Sequence, residues 1–169
     1  MRLTKDFFTR DVLWVAPELP GKRLCRRLPD GRVLSARITE AEAYRGEEDG
    51  ACHARSGRTA RTQIMYGEGG YAYIYLIYGL HWLFNVVTGP KDMPQAALIR
   101  ALEPPLNGPG KWTKAFGVTG AQNGLYLPES EEIWLEEGEA PAAVSACPRV
   151  GIDYAQEPWR SMPWRFVAE

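Results

Sequence analysis

Apolar and polar residues alternate through much of the chain in a pattern that predicts short strands. Two such runs, 23–28 and 32–44, flank Pro29-Asp30-Gly31, and an Asp-Gly turn between alternating runs favours a β-hairpin. Ahead of them, residues 5–20 carry a mixed apolar face that ends at two prolines, which indicates a helix. The first part of the chain therefore predicts a helix followed by a hairpin.

A second hairpin is predicted further along the chain. Residues 71–78 and 82–88 are rich in β-branched and aromatic side chains, and Gly79-Leu80-His81 joins them tightly. The pattern of 95–102 fits a strand or a helix, but its short length and the prolines that follow favour a strand. After a Gly-Pro-Gly sequence, residues 111–116 predict a short helix.

The remaining segments show no clear period. Residues 45–70 are rich in Gly, Arg and Glu, and such a long irregular stretch in a compact domain is usually functional or disordered. Residues 124–137 fit either a strand pair or a loop with acidic edges. The tail 149–169 holds two tryptophans and is expected to pack back on the body. The length fits one domain over 1–169.

The charge of the chain is nearly balanced but unevenly distributed. The net charge of −1 gives no general support to a nucleic-acid partner. Residues 1–114 hold 17 Lys and Arg against 12 Asp and Glu, whereas 115–169 hold 3 against 9. This asymmetry suits a molecule with one face for phosphates, although scattered surface charge explains it as well.

The cysteines and the N-terminus bear on cofactors and on the cellular setting. Three cysteines without a C-x-x-C pair argue against a disulfide scaffold and a structural zinc site. The N-terminus has no apolar leader, and no run is long enough to span a bilayer. We therefore expect a reducing, cytoplasmic setting, no membrane partner, no metal and no cofactor.

The predicted strand 33–44 contains the first candidate catalytic groups. Its alternate residues from Leu34 onward share one face; the first three are apolar, and the next three are Glu40, Glu42 and Tyr44. A carboxylate on a core-directed face is costly unless it is paired or opens into a cleft. Both glutamates are thus expected to line a pocket or to meet a buried cation, unless the strand simply ends in water.

Arg100 presents a similar problem on the strand predicted at 95–102. It lies between Leu98 and Leu102 on one face, where a guanidinium needs a carboxylate or a phosphate. Pairing with Glu42 would satisfy both side chains as a structural ion pair. The same pairing could hold a water molecule and a DNA phosphate near a general base.

His53 and three arginines lie in the irregular segment. A lone histidine is more often structural than a ligand, and the zinc-deaminase signature H-x-E fails because Arg55 stands two residues after His53. Arg55, Arg58 and Arg61, together with two threonines, fit a loop that follows phosphates, or equally a solvated basic loop.

The second hairpin carries a ladder of tyrosines. Tyr71, Tyr73 and Tyr75 share one strand face, as half-buried packing residues often do. Tyr78 differs because it lies at the bend, and an aromatic ring at a hairpin tip can act as a wedge between base steps. Asn85 lies between apolar neighbours, where a buried amide either needs partners or reads the edge of a ligand.

Taken in order, these motifs resemble the alkyladenine (3-methyladenine) DNA glycosylases of base-excision repair. The resemblance covers about residues 5 to 167, and it is specific because several motifs occur in one order. The matching segments are 38–44 (ITEAEAY), 48–53 (EDGACH), 73–79 (YIYLIYG), 84–87 (FNVV), 98–104 (LIRALEP), 108–114 (GPGKWTK) and 148–154 (PRVGIDY).

The resemblance implies a role for each candidate residue. Glu42 corresponds to the general base that activates water, and Arg100 to the arginine that positions that water and the backbone. Tyr78 corresponds to the wedge that fills the gap left in the duplex, and Asn85 to the amide at the minor-groove edge of the purine. The side chains of the base pocket are Tyr44, His53, Tyr75 and Asn85. The residues expected to contact the DNA backbone are Arg55, Arg58, Arg61, Lys111 and Lys114.

The resemblance also implies the fold and the reaction. The fold is of the α+β class, a single mixed domain built on a curved antiparallel β-sheet with flanking helices. The reaction is hydrolysis of the N-glycosidic bond of alkylated or deaminated purines in double-stranded DNA. No lysine falls in the matched pocket motifs, so we expect a monofunctional enzyme without a Schiff base. We also expect a monomer that acts on nucleoid DNA in a bacterial-type cytoplasm.

Two alternatives remain open on the residues alone. Glu40 and Glu42 could serve a carbohydrate glycosidase, since two positions on one strand face place their Cα atoms roughly 6.5–7 Å apart. The aromatic ladder and the arginine loop could instead form a non-catalytic module that binds damaged DNA.

Overall fold

The computed structural model describes residues 1–169 as a curled, eight-stranded antiparallel sheet with few and short helices. The strands are β1 (Arg23–Arg27), β2 (Val33–Arg45), β3 (Ala72–Ile77), β4 (His81–Thr88), β5 (Gln95–Leu102), β6 (Ile133–Glu136), β7 (Val144–Cys147) and β8 (Arg165–Ala168). The α-helices are α1 (Lys5–Phe8), α2 (Val12–Glu18) and α3 (Pro109–Ala115), and short 3-10 turns lie at His53–Ser56, Gln63–Tyr66, Gly120–Gln122 and Trp159–Ser161. The α+β class is confirmed. None of the helices has the length and apolar composition needed to cross a bilayer.

The sheet is organised around β2, its longest strand, which has 13 residues. The first half of β2 pairs with β1, and β1 pairs with β6. The second half pairs with β5 on one side and with β8 on the other. The resulting order is β3-β4-β5-β2-β1-β6, with β7 attached through β8. The β3–β4 hairpin therefore lies at one edge of the sheet and the acidic segment around β6 at the other.

The face that β2 turns toward the core changes part way along the strand. The register between β2 and β5 shifts twice between Ile38 and Ala41. Such an irregularity redirects the side chains that follow it. Ala36 and Ile38 therefore share the main core with Ala41 and Ala43, whereas Glu42 lines a cavity on the other face. The predicted continuous face along this strand is wrong, because small alanines take the core positions beyond the shift.

The same irregularity separates the residues around Arg100 on β5. Leu98 and Arg100 line the cavity, while Leu102 is fully buried in the main core. The predicted common face of these three residues is therefore also wrong. The double shift leaves Glu42 and Arg100 on the same side of the sheet, which is what brings them together.

The central strands bury side chains on both of their faces, as strand geometry requires. On one face, Ile74, Phe84 and Ile99 join the main core, which the helices cover. On the other, Tyr73 and Val87 belong to a smaller cluster. The irregular stretch lies over this second face and contributes Cys52, Ala54, Met65 and Tyr66 to that cluster.

Hydrogen bonds explain where the elements differ from the predicted ones. The helix predicted at 5–20 is two helices, because Asp11 caps α2 by accepting a hydrogen bond from the Leu13 N–H at 2.9 Å. Segment 124–137 holds only one strand, β6. Strands β7 and β8 have four residues each; β8 pairs with the second half of β2, and β7 pairs with β8. This pairing confirms that the tail packs back on the body, and both predicted hairpins, the strand β5 and the helix α3 are confirmed as well.

Gly69 is a point of close contact between the N-terminal helices and the end of β4. A Cβ atom at this position would overlap the carbonyl oxygen of Phe8 and would lie 3.1 Å from the Thr88 Cα. We expect Gly69→Ala to lower the free energy of unfolding by about 3 kcal/mol, because two backbone segments would have to separate. Urea unfolding measures this change. A loss below about 0.5 kcal/mol would show that the segments do not touch.

Candidate active site

A cavity of about 570 Å³ opens on the face of the central strands opposite the main core. This volume lies within the range found for small-molecule sites, and the walls combine aromatic rings with a few polar groups. Every side chain that the sequence assigned to catalysis, base binding or intercalation lines it, namely Glu42, Tyr44, His53, Tyr75, Tyr78, Asn85 and Arg100. The fold thus gathers residues from four strands, one hairpin turn and one irregular segment around one space.

Glu42 is a fully buried carboxylate in the wall of this cavity. Its Oε2 accepts a hydrogen bond from the Val150 N–H at 2.7 Å. Its Oε1 lies 3.4 Å from Arg100 Nη1. The first contact is short and fixes the carboxylate, whereas the second is long for a charge-assisted hydrogen bond. Oε1 is therefore the oxygen that remains available to a further donor.

Arg100 is held by a second carboxylate outside the cavity lining. Its Nε lies 3.2 Å from Glu40 Oε1, and the same oxygen accepts a hydrogen bond from Arg165 Nη1 at 3.0 Å. Charges of opposite sign therefore alternate along Glu42, Arg100, Glu40 and Arg165. Because Glu40 is committed to two guanidinium groups, its structural effect is to fix the position of Arg100.

Burial raises the pKa of Glu42 above its ordinary value. The hydrogen bond from Val150 and the charge of Arg100 act in the opposite direction without cancelling this effect, and the nearby Glu40 adds to it. A carboxylate with a raised pKa accepts a proton more readily than an ordinary one. General base catalysis near neutral pH benefits from that change.

His53 and two tyrosines form one aromatic side of the cavity. The ring centroids of His53 and Tyr75 are 4.5 Å apart, and His53 Nδ1 lies 2.9 Å from the Tyr73 hydroxyl. Burial, assisted by the charges of Arg61 and Arg55, lowers the pKa of His53 to about 4. The imidazole is therefore neutral at physiological pH and adds no charge to the cavity.

Tyr44 forms another wall and is supported by residues to which the sequence assigned no role. The guanidinium carbon of Arg149 lies 4.9 Å from its ring centroid. Arg149 makes a bidentate ion pair with Asp49, at 2.7 and 3.0 Å, and both side chains are fully buried. It also donates to the carbonyl oxygens of Ala43 and Trp159. A pair of residues 100 positions apart leaves no trace in local periodicity; the only available signal was that both lie in motifs of the resemblance.

Asn85 supplies the amide of the cavity wall from β4. Its Nδ2 donates to the carbonyl oxygen of Tyr73, its partner on β3, at 3.1 Å. This bond fixes the plane of the amide and leaves Oδ1 without an intramolecular hydrogen bond. A nearly buried amide with a free acceptor suits recognition of the edge of a ligand.

The β3–β4 hairpin ends in an exposed apolar tip beside the cavity. Tyr78 is 85% exposed, and Leu80 is 75% exposed. The φ angle of Tyr78 is 54°, in the left-handed region that bulky residues rarely adopt, at a cost of about 1–3 kcal/mol. An aromatic ring held out in water by a strained turn indicates a role other than packing.

The three arginines of the irregular segment have different surroundings. Arg58 Nη2 lies 2.7 Å from Asp92 Oδ1, away from the cavity. The guanidinium of Arg55 stacks on Tyr154, with its carbon 5.0 Å from the ring centroid. Arg61 alone of the three lines the cavity. The segment is therefore not one uniform row of free cations.

The two lysines expected at the DNA backbone lie on α3. Lys111 reaches the cavity, with its Nζ 3.1 Å from Asn107 Oδ1, and Lys114 is exposed one turn later. No lysine was expected among the pocket residues, and this expectation is wrong for Lys111, which lines the cavity. Helix α3 can lie close to the start of β4 because Gly110 has no side chain. A Cβ atom at this position would lie only 2.8 Å from the His81 ring.

The cavity combines aromatic walls with a buried carboxylate, an arrangement that suits an enzyme acting on a planar ligand. Comparison with known protein families identifies the family of this chain. The family described as Methylpurine-DNA glycosylase (MPG) matches residues 6–169, and the chain belongs to this family. The resemblance seen in the sequence motifs is confirmed.

Relatives from three organisms match this chain over nearly its whole length. A protein of Methanocella arvoryzae is 45% identical over 97% of this chain and 90% of its own length. One from Desulfitobacterium hafniense is 40% identical over 99% and 95%, and one from Borreliella afzelii is 43% identical over 99% and 96%. All three carry the name "Putative 3-methyladenine DNA glycosylase". The protein is thus a DNA glycosylase, a hydrolase of DNA repair whose substrate is DNA.

The burial of Glu42 predicts a stability gain when its charge is removed. The unfolded chain ionises this carboxyl near its ordinary pKa, whereas the folded protein holds the proton to higher pH, so stability falls as pH rises through that interval. Glu42→Gln keeps the shape and the acceptor for Val150. We expect it to raise the free energy of unfolding at pH 7 by about 1 kcal/mol, with no gain at a pH below the ordinary pKa.

Urea unfolding at the two pH values tests this, and Glu40→Gln on the same strand is the matched control. Glu40 is partly exposed and bonded to two arginines, so its substitution should not stabilise the protein. An equal gain at both pH values would show that the effect of Glu42→Gln does not come from ionisation.

The buried ion pair behind Tyr44 predicts a large loss of stability on removal of one partner. Asp49→Asn should lower the free energy of unfolding by about 3–5 kcal/mol, because Arg149 would remain buried without a counterion. Asp92→Asn is the control, since it breaks the exposed pair with Arg58 and should change stability little. Similar losses of stability in the two variants would show that the buried Asp49–Arg149 pair matters no more to stability than the exposed pair.

Proposed function

We propose that the protein is a monofunctional glycosylase that hydrolyses the N-glycosidic bond of alkylated or deaminated purines in duplex DNA. The bond is out of reach inside a stacked duplex, so the damaged nucleotide turns out of the helix and its base occupies the cavity. The observation that carries this proposal is the position of Glu42, a fully buried carboxylate with a raised pKa in the wall of an aromatic cavity.

The extruded base stacks against the aromatic walls formed by Tyr44, Tyr75 and His53. Alkylated purines are cationic, and the electron-rich faces of aromatic rings attract cations. Tyr78 fills the space that the base vacates, which offsets part of an unstacking cost of a few kcal/mol. Asn85 faces the edge of the purine and disfavours the exocyclic amino group of an undamaged guanine by occupying the space that this group needs, not through the hydrogen bond that its free Oδ1 could accept.

Glu42 activates the water that replaces the base. As the water oxygen attacks the sugar carbon C1′, the bond from C1′ to the base nitrogen breaks and its electron pair leaves with the base. Glu42 takes the proton that the water loses. Arg100 lies beside the available Oε1 and holds the water and the DNA backbone in position. Because the carboxylate is buried, solvent screens its charge less and the charge acts more strongly on the bound water than it would at the surface.

The charge of the leaving base sets the difficulty of the reaction. A cationic alkylated purine leaves as a neutral molecule and needs no further help. A neutral deaminated purine such as hypoxanthine leaves with a negative charge unless it is protonated. His53, with its pKa lowered to about 4, is a poor proton donor at neutral pH. Alkylated purines are therefore the faster substrates.

The charge distribution suits DNA in spite of the net charge of −1. Lys111 lines the cavity, Lys114 lies one turn further along α3, and Arg55 follows His53 by two positions. The acidic segment around β6 is at the opposite edge of the sheet from the β3–β4 hairpin. Phosphates next to the extruded nucleotide would thus meet cations first.

The geometry does not favour a carbohydrate glycosidase. That reaction needs two carboxylates on either side of one bond. Glu40 does not line the cavity, and its Oε1 is bonded to both Arg100 and Arg165. The remaining alternative, a module that binds damaged DNA without catalysis, makes a different prediction for Glu42.

Excision assays on defined duplexes test the proposal. One duplex carries a single hypoxanthine, the other is treated with a methylating agent, and hot alkali reveals the abasic sites. We expect release from both, faster from methylated DNA, and a loss of about 10³-fold or more in Glu42→Gln with damaged-DNA binding retained. A Glu42→Gln protein that cleaves like the wild type would contradict the role of Glu42.

Trapping with borohydride is the control for Lys111. A Schiff base between a lysine and the abasic sugar would be reduced to a stable cross-link. A monofunctional enzyme gives none, and a cross-link lost in Lys111→Gln would overturn the monofunctional mechanism. Binding of damaged duplex without release of any base would identify a recognition protein instead.

A further inference from the structure

Arg61 is the arginine of the irregular segment that lines the cavity, and no ion pair neutralises its charge. No carboxylate lies within 4.0 Å of its guanidinium nitrogens, whereas Arg58 in the same segment pairs with Asp92 at 2.7 Å. The guanidinium carbon of Arg61 instead lies 5.3 Å from the ring centroid of Tyr75. Arg61 is thus directed at an aromatic wall of the cavity.

The backbone around Arg61 is held in place by two threonines. The Thr62 hydroxyl donates to the Gly57 carbonyl at 2.9 Å and lies 3.1 Å from the Thr59 hydroxyl. Thr62 Oγ1 also accepts a hydrogen bond from the Thr59 N–H at 2.9 Å. These hydroxyls are therefore used within the loop, where they fix the point from which the Arg61 side chain extends.

The positive charge of Arg61 acts on the space that a bound base would occupy. It is the largest charge effect on His53, whose pKa it helps to lower. It also opposes the upward shift that burial produces in the pKa of Tyr73. Two neighbouring groups of the cavity wall thus experience this guanidinium. A base stacked on Tyr75 would experience it as well.

We propose that Arg61 is a specificity-determining residue that favours neutral purines with acceptor atoms on the exposed edge over cationic alkylated purines. The proposal rests on the function proposed above. A guanidinium beside Tyr75 repels a cationic base that is stacked on that ring. Its planar set of N–H donors matches an edge with two acceptors, as in the O6 and N7 atoms of hypoxanthine.

The positive charge of Arg61 thereby opposes the preference of the aromatic walls for a cationic base. Tyr44 already has Arg149 against it from outside the cavity. Because Asp49 neutralises Arg149, the uncompensated positive charge beside the aromatic walls is that of Arg61 near Tyr75. The site is therefore less selective for cationic bases than its rings alone would make it, and it can hold a deaminated purine as well.

The test compares two lesions in the same variants. Single-turnover excision of hypoxanthine and of 7-methylguanine is measured for the wild type, Arg61→Gln and Arg58→Gln. We expect Arg61→Gln to shift the ratio of the two rates by about tenfold toward 7-methylguanine. Arg58→Gln removes the same charge from the same segment outside the cavity and should leave the ratio unchanged.

A binding measurement separates this proposal from the proposed function. The affinities of Glu42→Gln and of the double variant with Arg61→Gln are measured for duplexes carrying each lesion. If the wild type excises neither lesion, the proposed function fails, while a shift in the affinity ratio still supports Arg61 as a specificity residue. If both affinities fall equally and lose salt dependence, Arg61 contacts the DNA backbone and the proposal is overturned.

Discussion

The buried ion pair of Asp49 and Arg149 is the interaction on which the cavity depends. Each charge would be costly alone; the two pair with each other and bond to backbone groups around them, and only Arg149 Nε lacks a hydrogen-bond partner. The pair joins the irregular segment to the tail and backs the ring of Tyr44. Because Val150 follows Arg149 directly, the pair also sets the position of the N–H that holds Glu42. One salt bridge thus fixes an aromatic wall and the carboxylate beside it.

The two faces of the sheet divide stability and chemistry between them. On the cavity face, a buried Glu42 and a left-handed Tyr78 both oppose folding. On the opposite face, the same strands pack Phe84 against Trp112 in a continuous apolar core, and both rings are fully buried. This division is possible because successive side chains of a strand point to opposite faces. The register shift in β2 places Glu42 on the cavity face. The free energy gained in this core therefore offsets the cost of Glu42 and Tyr78 on the cavity face.

Local pattern was enough to predict much of the fold but not the geometry of the site. The two hairpins, β5 and α3 follow from turn residues and short apolar runs, and the cavity residues follow from the motifs of the resemblance. The change of face after Ile38 depends on how β2 pairs with β5, so no periodicity in β2 alone reveals it. The pair of Asp49 and Arg149, and the separate surroundings of Arg58 and Arg61, arise from contacts between distant segments, which sequence pattern does not encode.

The hydrogen bond from Val150 to Glu42 joins residues that are 108 positions apart. During synthesis, the ribosome would make the carboxylate roughly 5 to 20 s before it makes the donor, at ordinary rates of elongation. The hairpins β1–β2 and β3–β4 are local and can form within that interval, but the cavity wall cannot close until the tail docks along β2. A nascent chain would therefore form the β3–β4 hairpin before the Val150 N–H can hold Glu42, and the cavity would stay incomplete until the tail is made.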